Sequence, residues 1–142
     1  MPSSNTTTLE KKFRKEFPSL KAIFEFVSTF SDRNNLNDSQ AFSIKFSIEE
    51  VFTNMVKYNP GPTEVTISLV REENAVKVVL VDTERKPFDI TKQEHVNATL
   101  PIEQRKPGGL GIFLIKKIMD NVEYEHDGVK SRITLTKFLE QP

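Results

Sequence analysis

A single domain of the α+β class is what this 142-residue sequence predicts, and three observations carry that reading. Apolar residues recur at three- and four-residue intervals over two long segments of the N-terminal half, as on the buried face of a helix. Two pairs of segments rich in Val, Ile and Leu follow, each pair parted by a short turn, as in antiparallel hairpins. At 37% apolar and 28% charged residues the chain suits one core, and at this size roughly 68–70% of the unfolded surface is buried without help from a disulfide or a structural metal.

Residues 1–6 are polar and are expected to fray. Leu9, Phe13 and Phe17 then recur every four residues among basic neighbours, a helical signal that a short edge strand also carries. Ser19 is available to cap a helix whose inner face is Leu20, Ile23, Phe24, Val27 and Phe30. The polar residues 31–37 end it, with Asp38 or Ser39 available to cap the next. In residues 39–59, Phe42, Ile44, Phe46 and Ile48 alternate as in a strand. Ile44, Ile48, Val51, Phe52 and Met55, however, follow helical spacing, and the run is too long for an ordinary strand. A helix is therefore predicted, stopped by Asn59-Pro60-Gly61-Pro62. Residues 64–71 and 75–81 read as a hairpin about Glu72-Glu73-Asn74. Residues 82–107 hold three prolines and no sustained period, so they read as a long loop and a candidate lid. Gly108-Gly109-Leu110-Gly111 leads into a helix over 112–119, and strands at 122–126 and 131–138 flank a turn at Asp127-Gly128. Phe13, Phe17, Phe24, Phe30, Phe42, Phe46, Phe52 and Phe113 read as core, since 11 phenylalanines can fill one domain without forming a binding surface.

Composition excludes several chemistries. Twenty Lys and Arg balance twenty Asp and Glu, so the basic excess of a nucleic-acid binder is missing. Without cysteine there is no thiol nucleophile, and His95 and His126 stand apart from any metal-ligand spacing and read as solvent residues. No secretory signal begins the chain and no apolar run approaches the ~18 residues of a spanning helix, so a cytoplasmic protein with no membrane contact is expected.

Taking about 100° per residue, Glu50, Asn54, Lys57 and Tyr58 form a stripe roughly 120° from the apolar face of their helix. It offers a carboxylate that can take a proton, an amide oxygen suited to a hard cation, an ammonium for phosphate and an aromatic ring. A solvated flank is the commoner explanation for these four residues taken alone. Glycines at a helix start let backbone N–H groups approach phosphate, although Gly108-Gly109-Leu110-Gly111 fits neither standard phosphate-loop pattern and a tight turn explains it equally well. Asp82, closing an apolar strand, can accept from the exocyclic amine of adenine or serve as a turn residue. Thr134 and Thr136 are accounted for by strand propensity.

Together these residues carry a resemblance. Glu50-Val51-Phe52-Thr53-Asn54, then Asp82 and Pro87-Phe88-Asp89, then the run from Arg105-Lys106-Pro107 through the glycines to Ile112-Phe113-Leu114-Ile115 resemble the anti-sigma-factor serine kinases. These are small ATP-binding proteins related to histidine-kinase catalytic domains, gyrase and heat-shock chaperone ATPases. The order and spacing hold over about residues 10–140, with Leu135-Thr136-Lys137 closing the last strand, and Asn54-Met55-Val56-Lys57-Tyr58 is similar to the asparagine box of histidine kinases.

The resemblance implies the Bergerat fold, a two-layer α/β sandwich in which helices cover one face of a mixed, mostly antiparallel sheet and ATP lies between helix and lid. It implies Glu50 as general base, Asn54 as Mg²⁺ ligand, Lys57 as phosphate contact and Asp82 as reader of the adenine amine. Gly108, Gly109 and Gly111 would border the triphosphate, with Leu110 among them, and Arg105 would reach its terminal phosphate from the lid. A sigma factor and an anti-anti-sigma antagonist are the implied partners, and homodimerisation is left open. One departure stands out: Asp82-Thr83-Glu84 puts a carboxylate at the family's glycine position, and Arg85-Lys86 adds a residue before Pro87. The Glu84 side chain would crowd the adenine or force another backbone path. The expectation is an ATP-dependent serine/threonine kinase that phosphorylates an antagonist and switches partners; the alternative is a regulatory module of the same fold with weak or no turnover. The catalytic half of a two-component sensor is disfavoured, because both histidines follow the asparagine-box segment.

Overall fold

A computed structural model describes residues 7–58, 61–83 and 109–139, with backbone alone for 109–112. The chain runs β1 (Thr7–Arg14), a 3-10 turn (Phe17–Ser19), α1 (Leu20–Arg33), α2 (Asp38–Tyr58), β2 (Glu64–Arg71), β3 (Ala75–Thr83), α3 (Gly109–Ile118), β4 (Asn121–His126) and β5 (Lys130–Phe138). The five strands form one sheet in the order β1-β2-β3-β5-β4. All four described pairings are antiparallel, so the sheet expected as mixed, mostly antiparallel shows no parallel pair among the described residues.

The first segment resolves as the edge strand. Its alternation puts Phe13 inward opposite Val65, while Phe17 lies beyond it in the 3-10 turn, half exposed. Four-residue spacing over only three apolar residues cannot outweigh a ladder of eight residue pairs with β2. Ser19 stands at the α1 N-cap, but its hydroxyl donates to the Arg14 carbonyl (2.7 Å) instead of capping. At the other end Asn35 takes a left-handed conformation (φ 53°), Leu36 N–H donates to Ser31 O (3.0 Å) and Asn35 N–H to Asp32 O (3.3 Å). These paired bonds close the helix and turn the chain sharply. Asn37, not Asp38 or Ser39, caps α2: its Oδ1 accepts from Gln40 N–H (2.8 Å) while Gln40 Oε1 accepts from Asn37 N–H (3.0 Å). An amide at each end of the box satisfies two otherwise orphaned donors.

Helical period wins in α2. Ile44, Ile48, Val51, Phe52 and Met55 are buried, whereas Phe42 is 63% exposed and stacks on Phe46 with ring centroids 5.9 Å apart. Among the other phenylalanines expected in the core, Phe13, Phe30 and Phe52 are buried, but Phe17 and Phe113 are not; the Lys117 ammonium lies 5.4 Å from the Phe113 ring. Phenylalanine count alone cannot place a ring on the inner or outer side of its element.

The inner sheet face follows from register. Leu69 stands opposite Val78, Ile67 opposite Leu80, and Leu80 and Val78 in turn opposite Ile133 and Leu135, all buried. Ile23, Val27 and Phe30 of α1, the apolar stripe of α2, and Ile115 join the same core, so helices cover one face. Truncating one of these side chains, Ile48→Ala for example, costs ~2–5 kcal/mol. Thr134 and Thr136 alternate with Ile133 and Leu135 and so lie on the opposite face. The β4–β5 turn forms where expected: Asp127 Oδ1 accepts from Val129 N–H (2.9 Å) and Lys130 N–H (2.8 Å), with Gly128 at φ 102°. Two backbone bonds hold the Asp127 carboxyl below the ordinary aspartate range. Among the described residues no helix is long and apolar enough to cross a membrane.

Candidate functional site

The polar stripe of α2 has two chemically distinct halves. Asn54 is only 3% exposed, and its Nδ2 donates to the Glu50 carbonyl one turn back (2.7 Å). That bond fixes the amide plane and leaves Oδ1 buried, with no hydrogen-bond partner among the described residues. A buried acceptor without a donor is costly unless something else meets it. An orphaned neutral oxygen is also a suitable ligand for a small hard cation, so the donor fits Mg²⁺. Glu50, half-buried, has its carboxyl pushed up, first by burial and then by the neighbouring Glu49, with Lys57 pulling it down. A carboxylate raised in this way is a stronger base. Lys57 and Tyr58 complete the stripe in the last turn, both exposed.

Asp82 is brought to the same end of the molecule by topology. The chain leaves α2 after Tyr58 and enters β2 at Glu64, and the start of β2 pairs with the end of β3, Thr66 opposite Val81. Asp82 and Thr83, expected to begin the long loop, instead belong to β3, where they pair with Ser131 and Lys130 of β5. Asp82 is therefore no turn residue; parity puts it on the inner face after Leu80. There it meets a partner that sequence reasoning missed. Lys15 Nζ lies 3.1 Å from Asp82 Oδ1 and 3.3 Å from Oδ2, with the two side chains 1% and 0% exposed. Lys15 N–H donates to Thr63 O (3.0 Å), carrying the β1–β2 ladder one step past Arg14. The signal was there in the edge-strand alternative: Lys15 shares parity with Phe13, and an inward lysine demands a buried carboxylate.

Gly109 and Gly111 lie inside the first turn of α3, so the helix begins three residues earlier than the 112–119 expected, with Leu110 between them. Backbone N–H groups of a first turn have no acceptor within the helix, which suits the proposed phosphate role. Arg105, Gly108, Glu84, Pro87-Phe88-Asp89, His95 and the rest of the candidate lid fall outside the described residues. His126, half-buried on β4, accepts from Gly128 N–H at Nδ1 (3.1 Å). A cleft of about 350 Å³ at the Asp82 end is lined by Lys12, Thr66, Val81 and Thr83 among others, but by no residue of the α2 stripe.

Helices packed on one face of this sheet, with an orphaned asparagine on the long helix and a carboxylate near the end of the third strand, fit a nucleotide-binding class. Residues 13–137 match the histidine kinase-like ATPase domain, and the chain belongs to that family. It is similar to the serine-protein kinase RsbW of Halalkalibacterium halodurans, 31% identical over 122 residues that cover 81% of this chain and 73% of the relative. The serine-protein kinase RsbW of Bacillus thuringiensis is 28% identical over 111 residues, and there the chain spans 64% of the relative's length. In fold it resembles the RsbU and RsbW domains of Rv1364c from Mycobacterium tuberculosis (TM-score 0.69, 12% identity, 96% of this chain and 33% of that one). It also resembles a chain of the SiaB–SiaC complex from Pseudomonas aeruginosa (TM-score 0.65, 12% identity, 90% and 88%).

Proposed function

We propose that the chain is an ATP-dependent protein serine/threonine kinase that acts in the cytoplasm as an anti-sigma factor, phosphorylating an antagonist protein and exchanging it for a sigma factor. The observation that carries this is the pairing, one helical turn apart, of a carboxylate made more basic by burial with an amide oxygen that has no protein partner. The relatives named as serine-protein kinases support it. A homodimer and the complex with an antagonist are part of the same proposal, the latter suggested by the SiaB–SiaC likeness.

Glu50 accepts the proton of a substrate serine hydroxyl as the serine oxygen bonds the terminal phosphorus of ATP, the bridging P–O bond breaks and ADP leaves. Asn54 Oδ1 would hold Mg²⁺. Bound there, the ion supplies neutralising charge to the phosphate oxygens. Among the described residues no group of three His, Asp or Glu could hold a metal, and Mg²⁺ is commonly held by one or two protein oxygens together with substrate phosphates and water, so Asn54 would suffice as the protein's share. Lys57 attracts phosphate, Tyr58 borders the nucleotide, and the α3 amides of Gly109, Leu110 and Gly111 face the triphosphate; Gly108 and Arg105, outside the described residues, are assigned to the phosphates by the resemblance alone. Asp82 reads the base. Transfer of labelled phosphate to a cognate antagonist tests the assignment: Glu50→Gln and Asn54→Ala are expected to lose it, and full activity in both removes these roles.

A second reading, a regulatory module of the same fold with weak or no turnover, is favoured by the engagement of Asp82 with Lys15. Calorimetry separates the two. Tight Mg²⁺-dependent ATP binding supports the kinase, and no heat at millimolar nucleotide supports the module.

A further inference from the structure

Lys15 contributes a charge that the hydrophobic packing has no use for and that the proposed chemistry does not call on. Its ammonium sits between both Asp82 oxygens, fully enclosed. A carboxylate offers about four lone-pair sites, and a contact to both oxygens uses one on each while neutralising the charge that makes the group a strong acceptor. Two more polar groups lie in the same layer. Ser131 stands directly opposite Asp82 in the β3–β5 ladder, and Thr63 pairs with Lys15 through the backbone; both hydroxyls are buried and have no hydrogen-bond partner among the described residues. The base end therefore combines donors with an acceptor already in use. An adjacent donor and acceptor suit two purine edges. A 6-amino purine donates from its amine to the carboxylate and accepts at N1; a 6-oxo purine accepts at O6 from the ammonium and donates from N1 to the carboxylate.

We propose that Lys15 is a specificity-determining residue which, by holding Asp82, reduces the preference for 6-amino over 6-oxo purine nucleotides. This rests on Asp82 as the base-reading carboxylate of the proposed function. Lys15 acts on the base in two ways: it holds Asp82, and its ammonium donates to a 6-oxo group. A purely structural role would weaken both nucleotides alike, so the ratio of their affinities is the informative readout.

Calorimetric titration of the full chain with MgATP and with MgITP tests this. In the wild type the two are expected to bind within about tenfold of each other. Lys15→Met is expected to raise the ratio at least about tenfold in favour of ATP, the worth of a hydrogen bond to a charged group, and Lys15→Arg to keep the wild-type ratio. Should Lys15→Met not fold, the wild type decides alone through the ¹⁵Nζ resonance of Lys15: MgATP shifts it and inorganic triphosphate does not. ATP binding with an unchanged ratio in Lys15→Met, or an ammonium signal indifferent to saturating MgATP, overturns the inference and leaves the nucleotide site standing. No saturable binding of either nucleotide to the wild type overturns the site itself and the inference with it.

Discussion

The two ends of the candidate site solve the problem of buried polarity in opposite ways. On α2 the Asn54 amide spends its donor on its own helix and leaves its acceptor without a protein partner, beside a carboxylate that burial makes more basic. At the end of β3 the Asp82 carboxylate is fully enclosed, and Lys15 meets both oxygens. The Asn54 acceptor depends on something from outside to be satisfied, while the Asp82 charge is met within the chain. Chemistry is thus expected to be sensitive to α2, and stability to the Lys15–Asp82 pair.

The contrast breaks most visibly in catalysis. Glu50→Gln is expected to lower phosphoryl transfer by ~10²–10⁴-fold while the fold survives, since a general base contributes on that order; single-turnover transfer measures it. Next is the ion pair. Lys15→Met leaves a buried charge unmatched and is expected to cost ~3–5 kcal/mol in urea unfolding, whereas the double change Lys15→Met with Asp82→Leu recovers most of that loss. A single-variant cost under ~1 kcal/mol would show that the pair is not sealed from water. Asn37→Ala, remote from both ends, is expected to cost about 1 kcal/mol by opening the capping box, with no change in nucleotide selectivity.

The smallest effect concerns pH. The folded Glu50 carboxyl titrates above its unfolded counterpart, so its contribution to stability is complete at low pH and is lost as pH rises through the folded value. At neutral pH the ionised group therefore opposes folding. Glu50→Gln is expected to raise the melting temperature at pH 7 and to leave it nearly unchanged below about pH 4. A lower melting temperature at pH 7 would reverse the sign and count against the strained base.

The long helices and the β2–β5 strands were legible because each carries enough apolar residues for its period to stand out, and Asp127-Gly128 because one carboxylate bonding two amides is local chemistry. The fit of Glu50 and Asn54 to one helical face was legible too, as both lie on a single element. What hid was set by partners distant in sequence. Leu9, Phe13 and Phe17 could not choose between periods until β2 was beside the first two. Asn37 outcompeted Asp38 as cap through Gln40, a neighbour whose reciprocal bond the capping signals left unread. Lys15 looked like any member of a basic run: parity with Phe13 separates it from Lys12 but not from Lys11, and its burial against Asp82 shows only in the fold.

The separation of the ion pair also bears on the order of assembly. Lys15 and Asp82 are 67 positions apart, and β1 must find β2 across both long helices. Closing so wide a loop is entropically expensive, so β1, the earliest of these five strands along the chain, is expected to be among the last to dock. Until it does, the emerging sheet carries an unneutralised aspartate next to an open edge, a state in which premature pairing with another copy is discouraged by charge.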